Sequence, residues 1–295
     1  MQQPDESESD RLPDFVCIGG MRCGSTTLWM LLKSHPSVFM PDEKELHFFD
    51  RVERITPSDS AEYAANFRDA SRDALLGEFT PSYLTRAGVA GRIADTLPNA
   101  RLLVILRNPL DRAWSHYWFR VRRGTERLSF RRAVALEDRR RVPEPWRHAY
   151  IGWSRYAEHL RTYHDLFGPD RVHTLFWEDL AADPSPTMAA VARFLDIDPS
   201  VFAEGCDVPG SNSMTVPRSR LLYWATKNLE SSLRGRGGPA RLLHRALFRA
   251  TAANQRRVRL PVPDWARARH AEWFGRSDAE LARMLGRALP WAGAQ

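Results

Sequence analysis

The stretch FVCIGGMRCGSTTLWMLLKSHP, Phe15 to Pro36, runs from an apolar segment through a glycine-containing turn into an amphipathic segment. The apolar residues predict a buried strand, and Ser25 to Ser34 predict a helix whose first turn carries hydroxyl groups. A strand, a tight loop and a helix in this order present backbone N–H groups to an anion at the helix N-terminus. The loop therefore predicts a binding site for a phosphate-bearing ligand.

The glycines of this loop separate it from two common nucleotide motifs. Gly19 and Gly24 have the spacing of the P-loop G-x-x-x-x-G-K-[ST], but Ser25 occupies the lysine position and the basic residue is Arg22. No G-x-G-x-x-G follows a strand, which argues against a dinucleotide site. The loop suits a phosphate whose charge is neutralised by arginine rather than by magnesium. The alternative is that the loop is a tight turn without a binding role.

Further apolar segments alternate with helical patterns along the chain. They are ALLGEF, ARLLVIL and VHTLFW. The helical pattern NPLDRAWSHYWFRV follows the second of them, and the acidic turn EDLAADP and the helix SPTMAAVARFLD follow the third. This alternation predicts an α/β fold with a central parallel sheet flanked by helices.

Basic residues mark two further positions for an anionic group. Arg107 follows the strand ARLLVIL, where an NTPase would need an acidic residue for magnesium. Ser115 lies about two turns into the next helix, and ligands of parallel sheets bind at this carboxyl edge. A structural ion pair is the alternative role for Arg107. The segment NSMTVPRSR places Arg218 and Arg220 around a predicted loop.

The segment KELHFFD brings Glu45, His47 and Asp50 together beside Phe48 and Phe49. A carboxylate beside aromatic rings is desolvated and can serve as a general base. Two alternatives stay open for the segment. One is a metal site, which no further ligand cluster supports, and the other is surface charge around a buried phenylalanine pair.

Charge is distributed unevenly over the 295 residues. The net charge is +7, and forty of the 43 basic residues are arginine. Residues 218 to 269 hold thirteen basic against two acidic residues, so this part carries +11 and the rest −4. Two amphipathic helices are predicted here, LLYWATKNLESSL and PARLLHRALFRATAANQRRV. They fit an anionic acceptor or peripheral contact with an anionic membrane, and a solvated arginine face explains them equally well.

Composition favours an ordinary cytoplasmic protein. The acidic start MQQPDESESDRLP lacks the features of a signal peptide, and no window holds enough uncharged apolar residues for a membrane span. Three cysteines in no paired spacing argue against disulfides and a cysteine zinc site. We predict a disordered tail at 1–13 and a single domain at 14–295, whose part 218–290 is basic and helical. The sequence carries no signal for an oligomeric state.

Taken jointly, these motifs resemble the sulfotransferases that use 3′-phosphoadenosine 5′-phosphosulfate (PAPS), in particular the heparan-sulfate type and its bacterial relatives. The loop and helix IGGMRCGSTTLWMLLKSHP look like the family's 5′-phosphosulfate motif, with Arg22 where lysine is usual. RLLVILRNPLDRAWSHY is similar to its 3′-phosphate motif, and KELHFFD to the segment that carries the catalytic base. The likeness extends from Phe15 to about Leu222.

The resemblance implies a P-loop-like three-layer fold, PAPS as donor, 3′,5′-ADP (PAP) as product and no metal. It implies catalytic roles for Glu45 as base and Arg22 as charge-neutralising cation, with His47 as the substitute base. The nucleotide contacts that it implies are Arg22, Cys23, Gly24, Ser25, Thr26, Thr27, Arg107, Ser115 and Arg218. GEFTPSYL departs from the family, since Phe79 stands where some carbohydrate members have lysine.

Several functions stay open at this point. The resemblance leaves the acceptor as a hydroxyl or amine of a carbohydrate, a lipid or a small natural product. The alternatives are a P-loop-like nucleotide kinase, a donor-binding module without catalysis, and a basic nucleic-acid-binding protein. The last is disfavoured because no basic motif interleaved with aromatic residues occurs.

Overall fold

The structure is a computed structural model that describes residues 11–139, 148–203, 214–233, 239–258 and 260–293. The strands are β1 (Phe15–Gly19), β2 (Val38–Phe39), β3 (Leu75–Phe79), β4 (Arg101–Leu106), β5 (Val172–Phe176), β6 (Met214–Pro217) and β7 (Gln255–Val258). The first helices are α1 (Ser25–Lys33), α2 (Phe48–Arg51), α3 (Pro57–Ala64), α4 (Val89–Thr96), α5 (Pro109–Arg122), α6 (Phe130–Ala135) and α7 (Tyr156–Phe167). The later helices are α8 (Trp177–Ala182), α9 (Pro184–Leu195), α10 (Arg220–Leu233), α11 (Pro239–Ala253), α12 (Asp264–Arg267) and α13 (His270–Leu285).

Five strands form one parallel sheet in the order β2-β3-β1-β4-β5. β1 occupies the centre, where Phe15 pairs with Gly77 of β3 on one side and with Arg101 of β4 on the other. Every residue of β1 is buried, as expected for a strand covered by helices on both faces. The predicted parallel sheet flanked by helices is confirmed. Strand β1 positions the loop at residues 20–24, between β1 and α1, which we call the phosphate loop.

The chain divides into two compact units. Unit 1 contains Met1–Pro109, Arg155–Pro209 and Phe274–Gln295, and unit 2 contains Leu110–Ser154 and Gly210–Trp273. The five-stranded sheet belongs to unit 1. Unit 2 holds a second, two-stranded sheet in which β6 and β7 pair antiparallel. The single sulfotransferase domain from 14 to 295 stays a prediction.

The structure describes only the last three residues, 11–13, of the predicted N-terminal tail. Residues 1–10 of the predicted tail lie outside the described residues. The guanidinium of Arg11, however, donates to the carbonyl oxygens of Ser71 and Ala74, and Pro13 is buried. Arg11 thus supplies hydrogen bonds to the segment that enters β3.

Three predicted elements differ in the structure. The acidic turn after β5 is the short helix α8. The end of the second amphipathic helix, from Gln255, is strand β7, and the loop around Arg218 contains strand β6. The pairing between β6 and β7 decides both, since cross-strand hydrogen bonds override the helical pattern of the local sequence. Residues 234–238, between the two predicted amphipathic helices, lie outside the described residues.

Candidate functional site

The loop between β1 and α1 is shaped by glycine. Gly24 caps α1 with a φ of 98°, in the left-handed region that side chains disfavour. A Cβ atom at Gly24 would lie 2.2 Å from Cε3 of Trp177, the first residue of α8. The loop is anchored at its start, where the N–H of Gly20 donates to the carbonyl oxygen of Ile105 at 2.6 Å. Glycine is therefore required at 24 by both backbone conformation and packing.

The N-terminus of α1 carries free donors. The N–H groups of Thr27 and Leu28 donate to the carbonyl oxygen of Gly24, whereas those of Ser25 and Thr26 have no hydrogen-bond partner within the described ranges. No side chain caps the helix there. The Thr26 side chain is exposed, that of Thr27 is half-buried and that of Ser25 is buried. Unpaired N–H groups at a helix N-terminus form a site for an anion.

Two neighbouring loop residues take different positions. Arg22 has a φ of 71° and is half-buried within the loop. Cys23 faces inward: its N–H donates to the carbonyl oxygen of Gly20, and its thiol lies 3.6 Å from the hydroxyl of Tyr156. The side chain of Cys23 is completely buried. This geometry does not favour the predicted contact between Cys23 and the nucleotide, because both its donor groups are directed into the protein.

Arg107 follows the last residue of β4. Its Nε is buried and has no hydrogen-bond partner in the part of the chain that the structure describes. Its carbonyl oxygen accepts a hydrogen bond from the hydroxyl of Tyr156 at 2.9 Å, and the next N–H, of Asn108, donates to Glu178 Oε1 at 2.8 Å. The backbone of Arg107 is thus fixed while its guanidinium retains a buried donor. The alternative of a structural ion pair is not supported within the described residues.

The segment KELHFFD forms a chain of charged contacts. Lys44 Nζ donates to Glu45 Oε1 at 2.8 Å, and Glu45 Oε2 lies 3.7 Å from His47 Nε2. The other imidazole nitrogen, Nδ1, lies 3.0 Å from Asp50 Oδ2, which also accepts from Ser82 Oγ at 3.1 Å. The imidazole of His47 therefore faces a carboxylate at each nitrogen.

These contacts shift the pKa values of all three groups. Contacts with Asp50 and Glu45 raise the pKa of His47 to about 9, although burial opposes this. Burial would raise the pKa of Glu45, but His47 and Lys44 outweigh it and lower the pKa to about 2. Burial likewise opposes the lowering of the Asp50 pKa by His47. At neutral pH, His47 is consequently a cation between two carboxylates.

Parallel pairing brings three of the predicted motifs to one edge of the sheet. The phosphate loop leaves the carboxyl end of β1, and Arg107 leaves that of its neighbour β4. On the other side, the N–H of Glu45 donates to the carbonyl oxygen of Phe79, the last residue of β3, at 3.0 Å. An anion site, a buried guanidinium and an ionised carboxylate therefore share the edge at which ligands of α/β proteins bind.

Two of the predicted nucleotide contacts lie in unit 2. Ser115 is buried on α5. Arg218 is exposed directly after β6, and its N–H donates to the carbonyl oxygen of Asn254 at 2.7 Å. Their roles in binding a nucleotide stay predictions.

Sequence reasoning missed the residues that support these groups. The ring of Trp177 packs against Gly24. Tyr156 contacts both Cys23 and Arg107. Glu178 accepts a hydrogen bond from the N–H of Asn108. These residues come from segments far from their partners in sequence. The only sequence signal is an aromatic or acidic residue next to a strand end, and that signal is too common to identify them.

The Sulfotransferase family model matches residues 60–200 of this chain. A solved structure, the sulfotransferase from Alicyclobacillus acidocaldarius, aligns with a TM-score of 0.64 at 25% identity, covering 95% of this chain and 98% of that chain. The bifunctional heparan sulfate N-deacetylase/N-sulfotransferase 3 of Homo sapiens is 29% identical over 216 residues, 66% of this chain and 23% of that protein. These similarities support a sulfotransferase family for this chain.

The likeness to the Alicyclobacillus acidocaldarius structure confirms the P-loop-like fold, and the similarities together favour sulfuryl transfer over the kinase alternative. The membrane-associated sulfotransferase kil1 of Dictyostelium discoideum is 33% identical over 110 residues, which cover 37% of this chain and 23% of that protein. The chain thus spans about a quarter of the length of the curated relatives named here.

Among the described residues, no group of three or more His, Cys, Asp and Glu side chains is arranged to hold a metal ion. Their helices include none that is both long and apolar enough to cross a membrane.

Proposed function

We propose that this chain transfers a sulfuryl group from PAPS to a hydroxyl or amino group of an acceptor. The observation that carries the proposal is the shared sheet edge. There the unpaired N–H groups of Ser25 and Thr26 and the buried Nε of Arg107 adjoin the ionised carboxylate of Glu45. When bound, PAPS supplies a sulfuryl group activated by its bond to a phosphate oxygen.

The donor set of the loop fits the phosphosulfate end of PAPS. Backbone N–H groups of Ser25 and Thr26, with the hydroxyl groups of the α1 first turn, would bind its anionic oxygens. Arg22 would neutralise the charge that grows on the leaving phosphate, the role that magnesium and lysine share in NTPases. Arg107 would bind the 3′-phosphate through the guanidinium that retains a buried donor.

The charges around Glu45 assign the proton acceptor. Glu45, with a pKa of about 2, is ionised at neutral pH and accepts the acceptor's proton as sulfur–oxygen bond formation proceeds. His47, with a pKa of about 9, already holds a proton and cannot act as base. Its place between Glu45 and Asp50 instead fixes the direction of the Glu45 carboxylate.

The acceptor is proposed by class. A relative named for heparan sulfate supports a carbohydrate, and one named as membrane-associated supports a lipid or a glycan near a membrane. A small natural product stays within the same class of hydroxyl or amine acceptors. A cytoplasmic location and the absence of a metal requirement stay predictions from the sequence.

The direct test is a pair of measurements on the purified chain. Calorimetric titration should show much tighter binding of 3′,5′-ADP than of 5′-AMP, because only the former carries the phosphate that Arg107 recognises. An acceptor screen with labelled PAPS should then show transfer to a hydroxyl or amine. Equal affinities for the two nucleotides would contradict the proposal, and tight binding without transfer to any acceptor would indicate a donor-binding module.

A further inference from the structure

A buried carboxylate lies on the strand to which the backbone of the proposed base is hydrogen-bonded. Glu78, on β3, is 1% exposed and accepts hydrogen bonds from three hydroxyl groups. Thr80 Oγ1 donates to Oε1 at 2.5 Å, the Tyr83 hydroxyl donates to Oε1 at 3.1 Å, and the Tyr63 hydroxyl donates to Oε2 at 2.8 Å. The sulfuryl-transfer scheme above makes no use of this group.

Two of these hydroxyl groups also hold the segment that carries Glu45. The N–H of His47 donates to Thr80 Oγ1 at 3.3 Å, and the N–H of Phe49 donates to the Tyr83 hydroxyl at 3.1 Å. A hydroxyl has one proton, so a hydroxyl that donates to Glu78 presents only lone pairs elsewhere. The carboxylate of Glu78 thereby sets both hydroxyls as acceptors for the two backbone N–H groups.

The held segment has an unusual backbone. Glu45 has a φ of 69° and His47 a φ of 56°, both in the left-handed region, where non-glycine residues persist only when their surroundings fix them. The contacts of His47 and Phe49 with the two hydroxyls, together with the N–H of Glu45 on Phe79, are such fixing contacts.

We propose that Glu78 is a positioning residue for sulfuryl transfer. It orients the hydroxyl groups of Thr80 and Tyr83. These hydroxyl groups fix the backbone from Glu45 to Phe49 and thereby the orientation of the Glu45 carboxylate. The proposal rests on the proposed function of Glu45. If Glu78 gains a proton on Oε1, it donates to the Thr80 or Tyr83 hydroxyl, whose own proton then turns away from Glu78, so that the carboxyl group no longer fixes this hydroxyl as an acceptor for the segment.

The charge state of Glu78 is sensitive to pH. Burial raises the pKa of Glu78 to about 7, although the hydrogen bonds from Thr80, Tyr63 and Tyr83 and the charge of His47 lower it. The titratable groups around it are Tyr63, Tyr83, His47 and, on β1, Cys17. Burial places the pKa values of Tyr63, Tyr83 and Cys17 far above neutrality, so these three stay protonated near pH 7.

Four variants separate positioning from folding. Glu78→Gln replaces the carboxylate with a neutral amide, and Thr80→Val and Tyr83→Phe remove the hydroxyls that hold the segment. Tyr63→Phe removes the hydroxyl that donates to Glu78 Oε2 but keeps the ring that stacks on Phe48. We expect the first three to lower the single-turnover rate by about tenfold or more, the scale of one lost hydrogen bond to a charged group, and to leave 3′,5′-ADP affinity unchanged. Tyr63→Phe should keep most of the rate at a comparable loss in Tm.

The pH profile is the second readout. The wild-type rate should fall on the acid side with an apparent pKa near 7, and Glu78→Gln should lack this fall. A Glu78→Gln enzyme with the wild-type rate and the same acid limb would overturn the proposal, as would equal losses in Tyr63→Phe.

Hydrogen exchange keeps the proposal testable if no acceptor is found. The amides of His47 and Phe49 should exchange faster in Glu78→Gln than in the wild type or Tyr63→Phe. Unchanged protection would overturn the role of Glu78, whereas faster exchange in a protein without turnover would contradict only the proposed function.

A second and independent observation concerns the helices α10 and α11 of unit 2. Four large apolar side chains on them are about half exposed: Leu222 (53%), Leu229 (48%), Leu243 (47%) and Phe248 (57%). Leu222, Ala225 and Leu229 follow the i, i+3, i+7 spacing of one exposed helical stripe. Exposed apolar side chains concentrated in one place mark an interaction surface.

The same helices are strongly basic. Helices α10 and α11 together contain five basic residues and one acidic residue, Glu230. Arg245 and Arg249 are exposed on α11, which has no acidic residue. An anionic polysaccharide would bind the arginines but offers no apolar phase for the leucine side chains, whereas anionic lipid headgroups attract arginine and acyl chains accept leucine and phenylalanine.

We infer that α10 and α11 bind the surface of an anionic phospholipid membrane. Flotation with phosphatidylcholine vesicles containing about one third phosphatidylglycerol should capture the wild type, and pure phosphatidylcholine should not. Leu243→Ser with Phe248→Ser should weaken capture by about tenfold or more, and Arg245→Gln with Arg249→Gln by a similar factor.

The control for apolar exposure is Leu166→Ser, which changes a leucine of α7 that is 46% exposed and should leave capture unchanged. Three outcomes would overturn the inference. The first is that anionic vesicles do not capture the wild type. The second is that heparin binding depends on Arg245 and Arg249 while vesicle capture is unchanged by Leu243→Ser with Phe248→Ser. The third is a dimer, seen by light scattering, that the Leu243→Ser, Phe248→Ser protein no longer forms.

Discussion

His47 Nδ1 lies 3.0 Å from Asp50 Oδ2, and this contact is the largest cause of the raised pKa of His47. The imidazole is therefore charged at neutral pH and pairs with Glu45 through its other nitrogen. This relationship supports the proposal that Glu45, rather than His47, accepts the proton.

Asp50→Asn should lower the pKa of His47 from about 9 toward its usual value near 6.5. Activity that needs the imidazolium is present below the pKa of His47 and is lost as pH rises through it. The basic limb of the rate profile should consequently move to lower pH. NMR titration of the His47 ring beside the pH–rate profile measures both shifts, and an unmoved limb would separate His47 from catalysis.

Glu45→Gln keeps the shape of the side chain but cannot accept a proton. It should reduce kcat by about 10²–10⁴-fold while the affinity for 3′,5′-ADP stays nearly unchanged. Because the pKa of Glu45 is about 2, this residue should contribute no acid limb above pH 4. If Glu45→Gln retains near-normal turnover while His47→Ala loses it, the base has been misassigned.

Arg22→Ala should behave differently from Glu45→Gln. Arg22 would meet both the bound phosphosulfate and the charge that grows on the leaving group, so binding and rate should fall together. Product affinity by calorimetry and single-turnover rate on the same preparation provide the comparison. A variant that loses rate alone would place Arg22 on the acceptor side.

Arg107→Ala should remove most of the preference for 3′,5′-ADP over 5′-AMP. A charge-assisted hydrogen bond of this kind corresponds to about tenfold to a hundredfold in affinity. Titration of both nucleotides into wild type and variant gives the ratio. A preference that survives the substitution would assign the 3′-phosphate to other residues.

Gly24→Ala should destabilise the phosphate loop, because the new Cβ would clash with Trp177 and φ is positive. We expect a loss of about 1–3 kcal/mol in unfolding free energy and a marked loss of nucleotide binding. Gly91→Ala on α4 is the matched control, since no atom lies within 4 Å of its Cβ position, and it should be neutral or stabilising. Equal effects of the two substitutions would refute the packing role of Trp177.

EDTA should leave turnover within a few-fold, because Arg22 and Arg107 stand where an NTPase uses lysine, magnesium and an acidic metal ligand. Turnover before and after chelation, with magnesium added back, is the measurement. Abolition by EDTA with rescue by magnesium would restore the kinase alternative or the metal hypothesis for Glu45, His47 and Asp50.

The sequence by itself determined the parallel sheet, the loop from β1 to α1 and the segment that carries Glu45. Each depends on signals within about ten residues: an apolar run, a glycine that accepts positive φ, hydroxyl groups in a first helical turn, or charges beside a phenylalanine pair. Such signals act through local backbone preferences and periodic burial, and both can be read along one segment.

Only the tertiary structure decided which groups hold these elements and how they are charged. Trp177 reaches Gly24, Tyr63 reaches Glu78, and β7 forms where the local pattern predicts helix. The pKa values of Glu45, His47 and Glu78 likewise follow from burial and from partners on neighbouring segments. Hydrogen bonding and desolvation depend on which segments meet at the sheet edge, and no single segment of the sequence contains that information.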